Sequence, residues 1–556
     1  MNRIWLKSYP PGVPADIDPS QLGSLKELIE KSCATHASSE AFVQMGRALT
    51  YAELETLSRN FGAWLQKAAG MRQGDRLAIM LPNVLQYPVA MFGALRTGIA
   101  VVNTNPLYTA TELEHQLEDS GATAIVVLEN FAHVVEKVLT HTAVKHVIVA
   151  TVGDLLGFPR GALVNYVVRH SRKQVPPWHI EGAISFKTAL AEGSRLVMDE
   201  TSVGREDLAF LQYTGGTTGV AKGAMLTHGN VSANVLQAEA WVGPQFSQQR
   251  ATLMTAIPLY HIFALTGNCM LFARLGWRNV LIINPRDFRA VIAEMKKYRF
   301  TYISGVNTLF NALLHTPGFD TIDFSALRVT LGGGMAVQGA VAKRWKEVTG
   351  NILTQAWGLT ETSPAACINP PSEEFNGSIG LPIPSTEIAI KDDAGRDLQI
   401  GEIGEICVRG PQVTVGYWNN PDETAKVMLP EGWLRTGDIG RMDERGFVFI
   451  EDRKKDMILV SGFNVYPNEV EAVAVTHSGI LEAAAVAQPD EHSGEVVALF
   501  VVRKDPSLTE QAVIEYCRQS LAAYKVPRHV YFRDELPKTN VGKIMRKALR
   551  EELAKG

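Results

Sequence analysis

The chain has 556 residues, few cysteines and no long apolar run. Its five cysteines stand singly at positions 33, 269, 367, 407 and 517. An odd number without a Cys-x-x-Cys pair predicts reduced thiols in a cytoplasmic protein, and neither a disulfide framework nor a zinc site. Residues 1–10 lack the apolar core of a signal peptide. No run approaches the roughly 20 apolar residues that a membrane-spanning helix needs.

An excess of basic charge is also missing. The chain has 54 Lys and Arg against 58 Asp and Glu, which gives a net charge of −4. A protein that binds nucleic acid over a broad surface needs a basic face, so we expect no nucleic-acid partner. An anionic substrate must then be bound by a few local basic residues. The length predicts about three or four structural units.

Glycine and threonine are concentrated in one segment, which reads Tyr213-Thr214-Gly215-Gly216-Thr217-Thr218-Gly219-Val220-Ala221-Lys222-Gly223. Glycines let a backbone approach a ligand closely, and successive amides with hydroxyls and a lysine can hold phosphate oxygens. A surface loop is the other interpretation of this composition. The spacing matches neither the Walker pattern nor the dinucleotide pattern G-x-G-x-x-G. A different kind of nucleotide-binding loop and a surface loop therefore both remain open.

Strand-like and helix-like segments alternate over the first 360 residues. Between the strand-like runs 100–102 and 124–128, Thr109 and Glu112 form a capping box and Gly121 marks a helix end. This β-α-β order predicts a parallel sheet. The same order recurs with a strand at 327–331 and a helix at 337–348.

The later part of the chain differs in pattern. Short alternating runs from about Pro382 predict a β-rich subdomain over about 380–452. The charged stretch 452–456 precedes a final segment of about 100 residues, and it fits either a hinge or an exposed turn. Segment 153–178 follows no regular pattern, so we expect an irregular excursion there.

Several residues are of types that suit nucleotide chemistry. Trp357 could stack on a base, Thr360 could donate to a phosphate, and Glu361 could hold Mg²⁺ together with phosphate oxygens. Asp438 could accept bonds from ribose hydroxyls, with Arg453 as a nearby donor. Taken singly, each has a purely structural interpretation, such as a core tryptophan, a turn threonine or a surface glutamate.

Two further residues have competing interpretations. Lys543 follows Gly542 in a pliant segment, so its ammonium group could reach a remote site as a mobile point charge. A solvated lysine at the start of a basic helix is the interpretation that the sequence alone favours. His261 lies in an apolar setting, where a histidine is most often a core residue.

In this order, the segments resemble the adenylate-forming superfamily of acyl-CoA synthetases, luciferases and peptide-synthetase adenylation domains. Within it the chain is most similar to bacterial long-chain fatty-acid–CoA ligases. The resemblance extends over the full length and includes residues 103–108, 308–314 and 432–455.

The resemblance implies an α/β fold with two domains and a hinge. The large N-terminal domain, residues 1–452, has two mostly parallel sheets with helices and a small β-barrel-like subdomain from about 380. Residues 453–456 form the hinge, and residues 457–556 form a small, mobile α+β lid domain.

The resemblance also implies a role for each candidate residue in binding ATP. The β- and γ-phosphates are held by Thr214, Gly215, Gly216, Thr217, Thr218, Gly219 and Lys222. The adenine is flanked by Gly332, Gly333, Gly334, Trp357 and Gly358. The ribose is bound by Asp438 and Arg453, and Mg²⁺ by Glu361 and Thr218.

The other implied roles concern catalysis and the lid. Thr360 contacts the α-phosphate, His261 lies near the acyl carboxylate, and Lys543 is the adenylation lysine. Lys455 is the hinge residue. Gly462, Phe463 and Asn464 line the path of the pantetheine arm after the lid rotates.

Two positions depart from the family pattern. The aromatic residue before Gly-x-Thr-Glu is usually tyrosine, but here it is Trp357, and the preceding small residue is Ala356 rather than glycine. We expect stacking on adenine to survive and any hydrogen bond from a tyrosine hydroxyl to be lost.

The implied activity uses ATP, Mg²⁺ and coenzyme A. A long-chain fatty acid forms an acyl-adenylate, and coenzyme A then releases acyl-CoA and AMP. The alternatives are a medium-chain or aryl-acid CoA ligase, and an acyl-AMP ligase that loads a carrier protein. A catalytically silent ATP- and acyl-binding protein is disfavoured by the joint presence of Lys543, Glu361 and Asp438. A homodimer and a peripheral contact with the inner membrane remain open.

Overall fold

The computed structural model describes residues 3–214, 221–246, 250–461, 463–490, 493–539 and 542–554. Of the candidate residues, Gly215, Gly216, Thr217, Thr218, Gly219 and Gly462 lie outside these ranges. For Arg453 the description is confined to the backbone.

The first large sheet has nine strands. Six neighbouring strands are parallel, and antiparallel strands flank them at both edges. In spatial order the strands are Leu381–Pro382, Ala365–Ile368, Leu353–Gly358, Val329–Gly332, Tyr302–Gly305, Thr252–Thr255, Arg278–Leu281, Glu40–Gln44 and Arg47–Thr50.

The second large sheet has seven strands, and only its last pair is antiparallel. In spatial order they are Ile184–Ser185, His146–Ala150, Ala124–Leu128, Arg76–Met80, Ala100–Asn103, Leu208–Thr214 and Lys222–Thr227. The two mostly parallel sheets confirm the predicted α/β class.

Two smaller sheets follow along the chain. An antiparallel sheet is formed by Glu387–Lys391, Gly404–Arg409, Leu434–Met442 and Val448–Arg453. A mixed sheet near the C-terminus is formed by Phe463–Val465, Ile458–Val460, Gly494–Arg503, Ile480–Asp490 and His529–Arg533.

Helices cover the sheets and bury their apolar faces. The α-helices are Leu25–Thr35, Tyr51–Lys67, Gln86–Arg96, Ala110–Ser120, Ala132–Glu136, Arg160–Tyr166, Phe186–Gly193, His228–Val242, Phe288–Met295, Asn307–His315, Gly339–Thr349, Pro421–Val427, Pro467–Ala474, Glu510–Arg518 and Arg546–Leu553. Ile262–Ala264, Leu265–Met270 and Leu271–Arg274 follow one another as one irregular helix. Among the described residues, no helix is both long and apolar enough to cross a bilayer.

The helix with the predicted capping box begins and ends as expected. Thr109 and Glu112 exchange the two capping hydrogen bonds at the start of Ala110–Ser120. Gly121 ends the helix with φ 59°, a left-handed conformation that glycine adopts without strain. Local sequence signals are therefore sufficient at this helix.

The second β-α unit begins slightly later than predicted. The strand is Val329–Gly332 and the helix is Gly339–Thr349, against predictions of 327–331 and 337–348. The N–H of Val337 donates to Gln355 and that of Gln338 to Asn307. These two residues are thus held by tertiary bonds before the helix starts.

The expectation of an irregular excursion at 153–178 was wrong in part. Helix Arg160–Tyr166 continues through a wider turn at Val167–Ser171. Gly161 packs so closely on Gly153 that an added β-carbon would lie 2.2 Å from the Gly153 carbonyl oxygen. The outer side of the segment exposes Phe158, Leu163 and Tyr166, which is why the pattern did not predict a helix packed on a core.

Candidate active site

The predicted adenine residues lie where two neighbouring parallel strands end. Gly332 ends one strand, and Trp357 and Gly358 end the next. A β-carbon on Gly358 would lie 1.8 Å from the carbonyl oxygen of Pro364, so only glycine fits this close approach. A β-carbon on Gly333 would lie 3.1 Å from the Phe263 ring, so there is little room for a side chain at this position.

Trp357 is joined directly to Asp438. Its indole Nε1–H donates to Asp438 Oδ2 at 2.9 Å, and Asp438 is only 3% exposed. The backbone of Asp438 pairs with that of Arg453 across two antiparallel strands. The structure therefore brings together the predicted adenine and ribose residues from segments 81 positions apart.

Glu361 is held by two bonds from one later segment. Its side chain accepts a hydrogen bond from the Tyr417 hydroxyl at 2.7 Å, and its backbone carbonyl accepts one from the Thr414 N–H at 2.7 Å. Burial and then the negative charge of Glu361 raise the pKa of Tyr417 far above its usual range. Glu361 thus sits beside a permanent hydrogen-bond donor, in a short helical turn that also contains Thr360.

Lys222 stands next to the same segment. Its ammonium group forms an ion pair with Glu423 and lies 5.5 Å from the centre of the Tyr417 ring. Hydrogen bonds from Lys222 and Lys426 lower the pKa of Glu423 to about 2. Tyr417 therefore connects the predicted phosphate lysine to the predicted metal carboxylate.

His261 lies at the start of the irregular helix, on a loop fixed by two side chains from the region of the seven-stranded sheet. Asn83 accepts from the Leu259 N–H, and Gln212 donates to the Tyr260 carbonyl oxygen at 2.7 Å. The Phe263 N–H donates to His261 Nδ1 at 3.3 Å, so a neutral ring carries its proton on Nε2.

His261 is half-buried as a residue, and its surroundings enclose the imidazole. This enclosure, reinforced by the positive charge of Lys543, lowers the pKa of His261 to about 4. The ring is therefore neutral at physiological pH. The charge of the predicted adenylation lysine therefore acts on the predicted acyl-site histidine.

The lysine loop is docked on the N-terminal part of the chain. The Thr308 hydroxyl donates to the Gly542 carbonyl oxygen at 3.2 Å. Within the loop, Thr539 N–H donates to the Lys543 carbonyl oxygen at 2.7 Å, and Lys543 N–H donates to Thr539 Oγ1 at 3.1 Å. Lys543 is therefore bonded to Thr539, and the residue before it is held by Thr308.

Two of the predicted pantetheine residues, Phe463 and Asn464, belong to the C-terminal sheet. Phe463 and Asn464 are exposed in strand Phe463–Val465, and the Phe463 ring stacks on Tyr524 with centroids 5.0 Å apart. Lys455 is exposed in the turn after strand Val448–Arg453.

Sequence reasoning did not find Tyr417, Glu423 or Thr308 as contributors to the site. Tyr417 precedes the short helix Pro421–Val427 that contains Glu423, and the partners of the two residues stand 56 and 201 positions away. No local spacing indicates such pairs.

Comparison with known proteins identifies the family of the chain. The model of the AMP-binding enzyme family matches residues 29–418, and that of the AMP-binding enzyme C-terminal domain matches residues 469–543. The chain belongs to the AMP-binding enzyme family.

Full-length relatives of this AMP-binding enzyme are named long-chain-fatty-acid–CoA ligase. The protein from Salmonella typhimurium is 55% identical over 99% of this chain and 98% of its own length. The protein from Haemophilus influenzae is 52% identical over 100% and 99%. The crystal structure of the anthranilate CoA ligase AuaEII in complex with anthranoyl-AMP has a TM-score of 0.85 at 25% identity, covering 97% of this chain and 99% of that one.

Proposed function

We propose that this enzyme activates a long-chain fatty acid with ATP and transfers the acyl group to coenzyme A. The carboxylate attacks the α-phosphate, which gives acyl-adenylate and pyrophosphate. The thiol of coenzyme A then attacks the acyl carbon, which gives acyl-CoA and AMP. The observation that carries the proposal is the 55% identity over 99% of the chain to a long-chain-fatty-acid–CoA ligase.

The first half-reaction needs charge stabilisation more than proton transfer. A fatty carboxylate is ionised at neutral pH, because carboxyl pKa values lie near 4. The crowded negative charge of carboxylate and triphosphate must be offset by positive groups placed in advance. Lys222 binds the β- and γ-phosphates, and Lys543 stabilises the charge that develops at the α-phosphate.

His261 and Thr360 orient the two reacting groups. The neutral ring of His261 presents Nε2–H, which donates to an oxygen of the fatty carboxylate. Thr360 donates its hydroxyl to the α-phosphate from the turn that holds Glu361. Both donors hold the reactants without removing a proton.

Glu361 suits a magnesium ion shared with ATP. The described residues contain no cluster of three or more His, Cys, Asp or Glu that could hold a metal alone. Mg²⁺ is commonly bound by one or two carboxylates together with substrate phosphates and water, and one fixed carboxylate meets this need. Glu361 would hold the ion, with Thr218 as a second ligand. When bound, the ion neutralises phosphate charge.

The anchors on either side of Lys455 support a hinge there and domains at 1–452 and 457–556. Lys454 donates to Asp393 at 2.6 Å, in the turn after strand Glu387–Lys391 of the antiparallel sheet. Asp456 bonds Arg550 at 2.8 Å on the last helix. Lys455 therefore lies between a residue that is attached to the antiparallel sheet region and a residue that is attached to the last helix. Rotation there would withdraw Lys543 and bring Gly462, Phe463 and Asn464 to the site for coenzyme A.

The segment 158–173 supports a peripheral contact with an anionic lipid surface. Phe158 is 93% exposed, and Leu163 and Tyr166 are exposed beside it. Arg160, Arg172 and Lys173 are exposed on the same segment, whereas Arg169 pairs with Glu129. Exposed apolar groups flanked by basic ones are typical of a helix that lies in a lipid interface.

Vesicle sedimentation tests this contact. Replacing Phe158 and Tyr166 by Ser should reduce binding to vesicles containing phosphatidylglycerol. The matched control, Ile400→Ser, alters an exposed residue elsewhere and should bind like the wild type. Equal binding by all three proteins would refute the contact.

Carboxylate-dependent exchange between ATP and pyrophosphate tests the main proposal. Exchange should require a fatty acid. When coenzyme A is added, the enzyme should release AMP and acyl-CoA. Turnover compared across palmitate, octanoate and ferulate separates the proposal from the medium-chain and aryl-acid alternatives. Absence of AMP with coenzyme A present would refute the ligase.

A further inference from the structure

The tryptophan that replaces the family's tyrosine makes a hydrogen bond that the sequence did not predict. Trp357 Nε1–H donates to Asp438 Oδ2 at 2.9 Å. Because the acceptor is a buried carboxylate, this bond is charge-assisted and stronger than a bond between neutral groups. The substitution thus adds a contact to the site as well as removing a hydroxyl.

The backbones of both residues are fixed independently of this bond. Asp438 pairs with Arg453 across two strands, and its N–H donates to Thr436 Oγ1 at 3.1 Å. Trp357 lies in strand Leu353–Gly358, opposite Cys367. The indole bond therefore acts on the direction of the Asp438 carboxylate rather than on the course of either strand.

We propose that Trp357 is a positioning residue that sets recognition of the ribose as well as contacting the adenine. By holding Oδ2, its indole N–H turns the Asp438 carboxylate toward the ribose hydroxyls of ATP. The inference rests on the proposed function, which assigns Asp438 to the ribose. It adds to that function that the enzyme's preference for ribose over a sugar without hydroxyls depends on Trp357.

The test compares Trp357→Phe with the wild type on two nucleotides. Phenylalanine keeps an aromatic face for stacking but has no N–H. Binding of ATP and of 2′,3′-dideoxy-ATP is measured by calorimetry without fatty acid or coenzyme A. The variant should bind ATP about 10- to 100-fold more weakly, the effect of one lost bond to a charged group. Its binding of the dideoxy nucleotide should change much less, so the preference for ATP shrinks.

An equal loss for both nucleotides would mean that Trp357 acts only by stacking, and would overturn the inference. A preference for ATP that stays unchanged would overturn it as well. Circular dichroism and the urea midpoint of the variant establish that it is folded.

The same substitution in an Asp438→Ala background provides the matched control. With the carboxylate absent, Trp357→Phe should change binding of both nucleotides by the same factor. A further loss of discrimination in that background would show that Trp357 does not act through Asp438.

Failure of the inference is distinguishable from failure of the proposed function. The calorimetric readout needs neither acid nor thiol. A wild type that prefers ATP to its dideoxy analogue but supports no exchange with any carboxylate would refute the ligase alone. An active ligase in which Trp357→Phe leaves discrimination intact would refute the inference alone.

Discussion

The hydroxyl of Thr308 donates a hydrogen bond to the carbonyl oxygen of Gly542, with the two oxygens 3.2 Å apart. Gly542 has φ +82°, and a β-carbon there would lie 2.7 Å from the same hydroxyl. Two features of Gly542, its conformation and its lack of a side chain, therefore allow the lysine loop to dock. This contact links the N-terminal part of the chain to the residue before Lys543.

Thr308→Val should slow acyl-adenylate formation while sparing transfer to coenzyme A. Valine has a similar shape but no hydroxyl, and one neutral hydrogen bond corresponds to about 2- to 12-fold in an equilibrium. Exchange between ATP and pyrophosphate measures the first half-reaction, and thiolysis of preformed acyl-adenylate measures the second. Thr308→Ser retains the hydroxyl and should behave as the wild type. Equal slowing of both half-reactions would contradict a docking role.

Lys543→Ala should lower the rate of adenylate formation by about 10²–10³, as expected when one donor aimed at developing charge is removed. Thiolysis of preformed acyl-adenylate should continue, because the proposed rotation at Lys455 withdraws the lysine in that step. Lys547→Ala is the matched control, since Lys547 is exposed on the following helix and pairs with Glu551. A comparable loss in both half-reactions would show that Lys543 has another role.

Local elements of this fold could be predicted, whereas the contacts that assemble the site could not. The capping box of Thr109 and Glu112 and the left-handed Gly121 act within a few residues, so the helix between them followed from the sequence. The bond from Tyr417 to Glu361 depends on how a later segment crosses the sheet. Neither the composition nor the spacing of residues predicts such a crossing.

The resemblance to a family predicted some of the contacts between distant residues. It placed Trp357 and Asp438 in one site, and the structure brings their side chains into direct contact. It did not indicate that Glu423 pairs with Lys222, because that partner is set by the orientation of helix Pro421–Val427. Family patterns thus indicate the residues that contact the ligand. They are less informative about the residues that hold those contacting residues in place.

Lys455→Pro should impair the second half-reaction more than the first. Proline fixes φ near −65° and removes the N–H, so the turn between the anchors Lys454 and Asp456 loses its freedom to rotate. Separate assays of exchange and thiolysis measure the two steps. Lys455→Ala retains backbone freedom and serves as the control. Wild-type rates of both steps in the proline variant would exclude this hinge.

Stability should fall between pH 7 and pH 5 partly because of His228. This side chain is fully buried, its Nδ1 accepts the Leu25 N–H at 3.2 Å, and burial lowers its pKa to about 4. An unfolded histidine titrates near pH 6.5, so the unfolded chain binds the proton first as pH falls. The contribution of neutral His228 is therefore complete above about pH 6.5 and is lost progressively as pH falls toward 4.

Urea unfolding at the two pH values measures this loss. The linkage amounts to about 2 kcal/mol at pH 5, from 1.36 kcal/mol per pKa unit. His228→Gln should be less stable at pH 7 but cannot titrate, so its free energy of unfolding should fall by about 2 kcal/mol less than that of the wild type. An identical fall in both proteins would mean that His228 does not titrate in this range, and that the acid sensitivity comes from other groups.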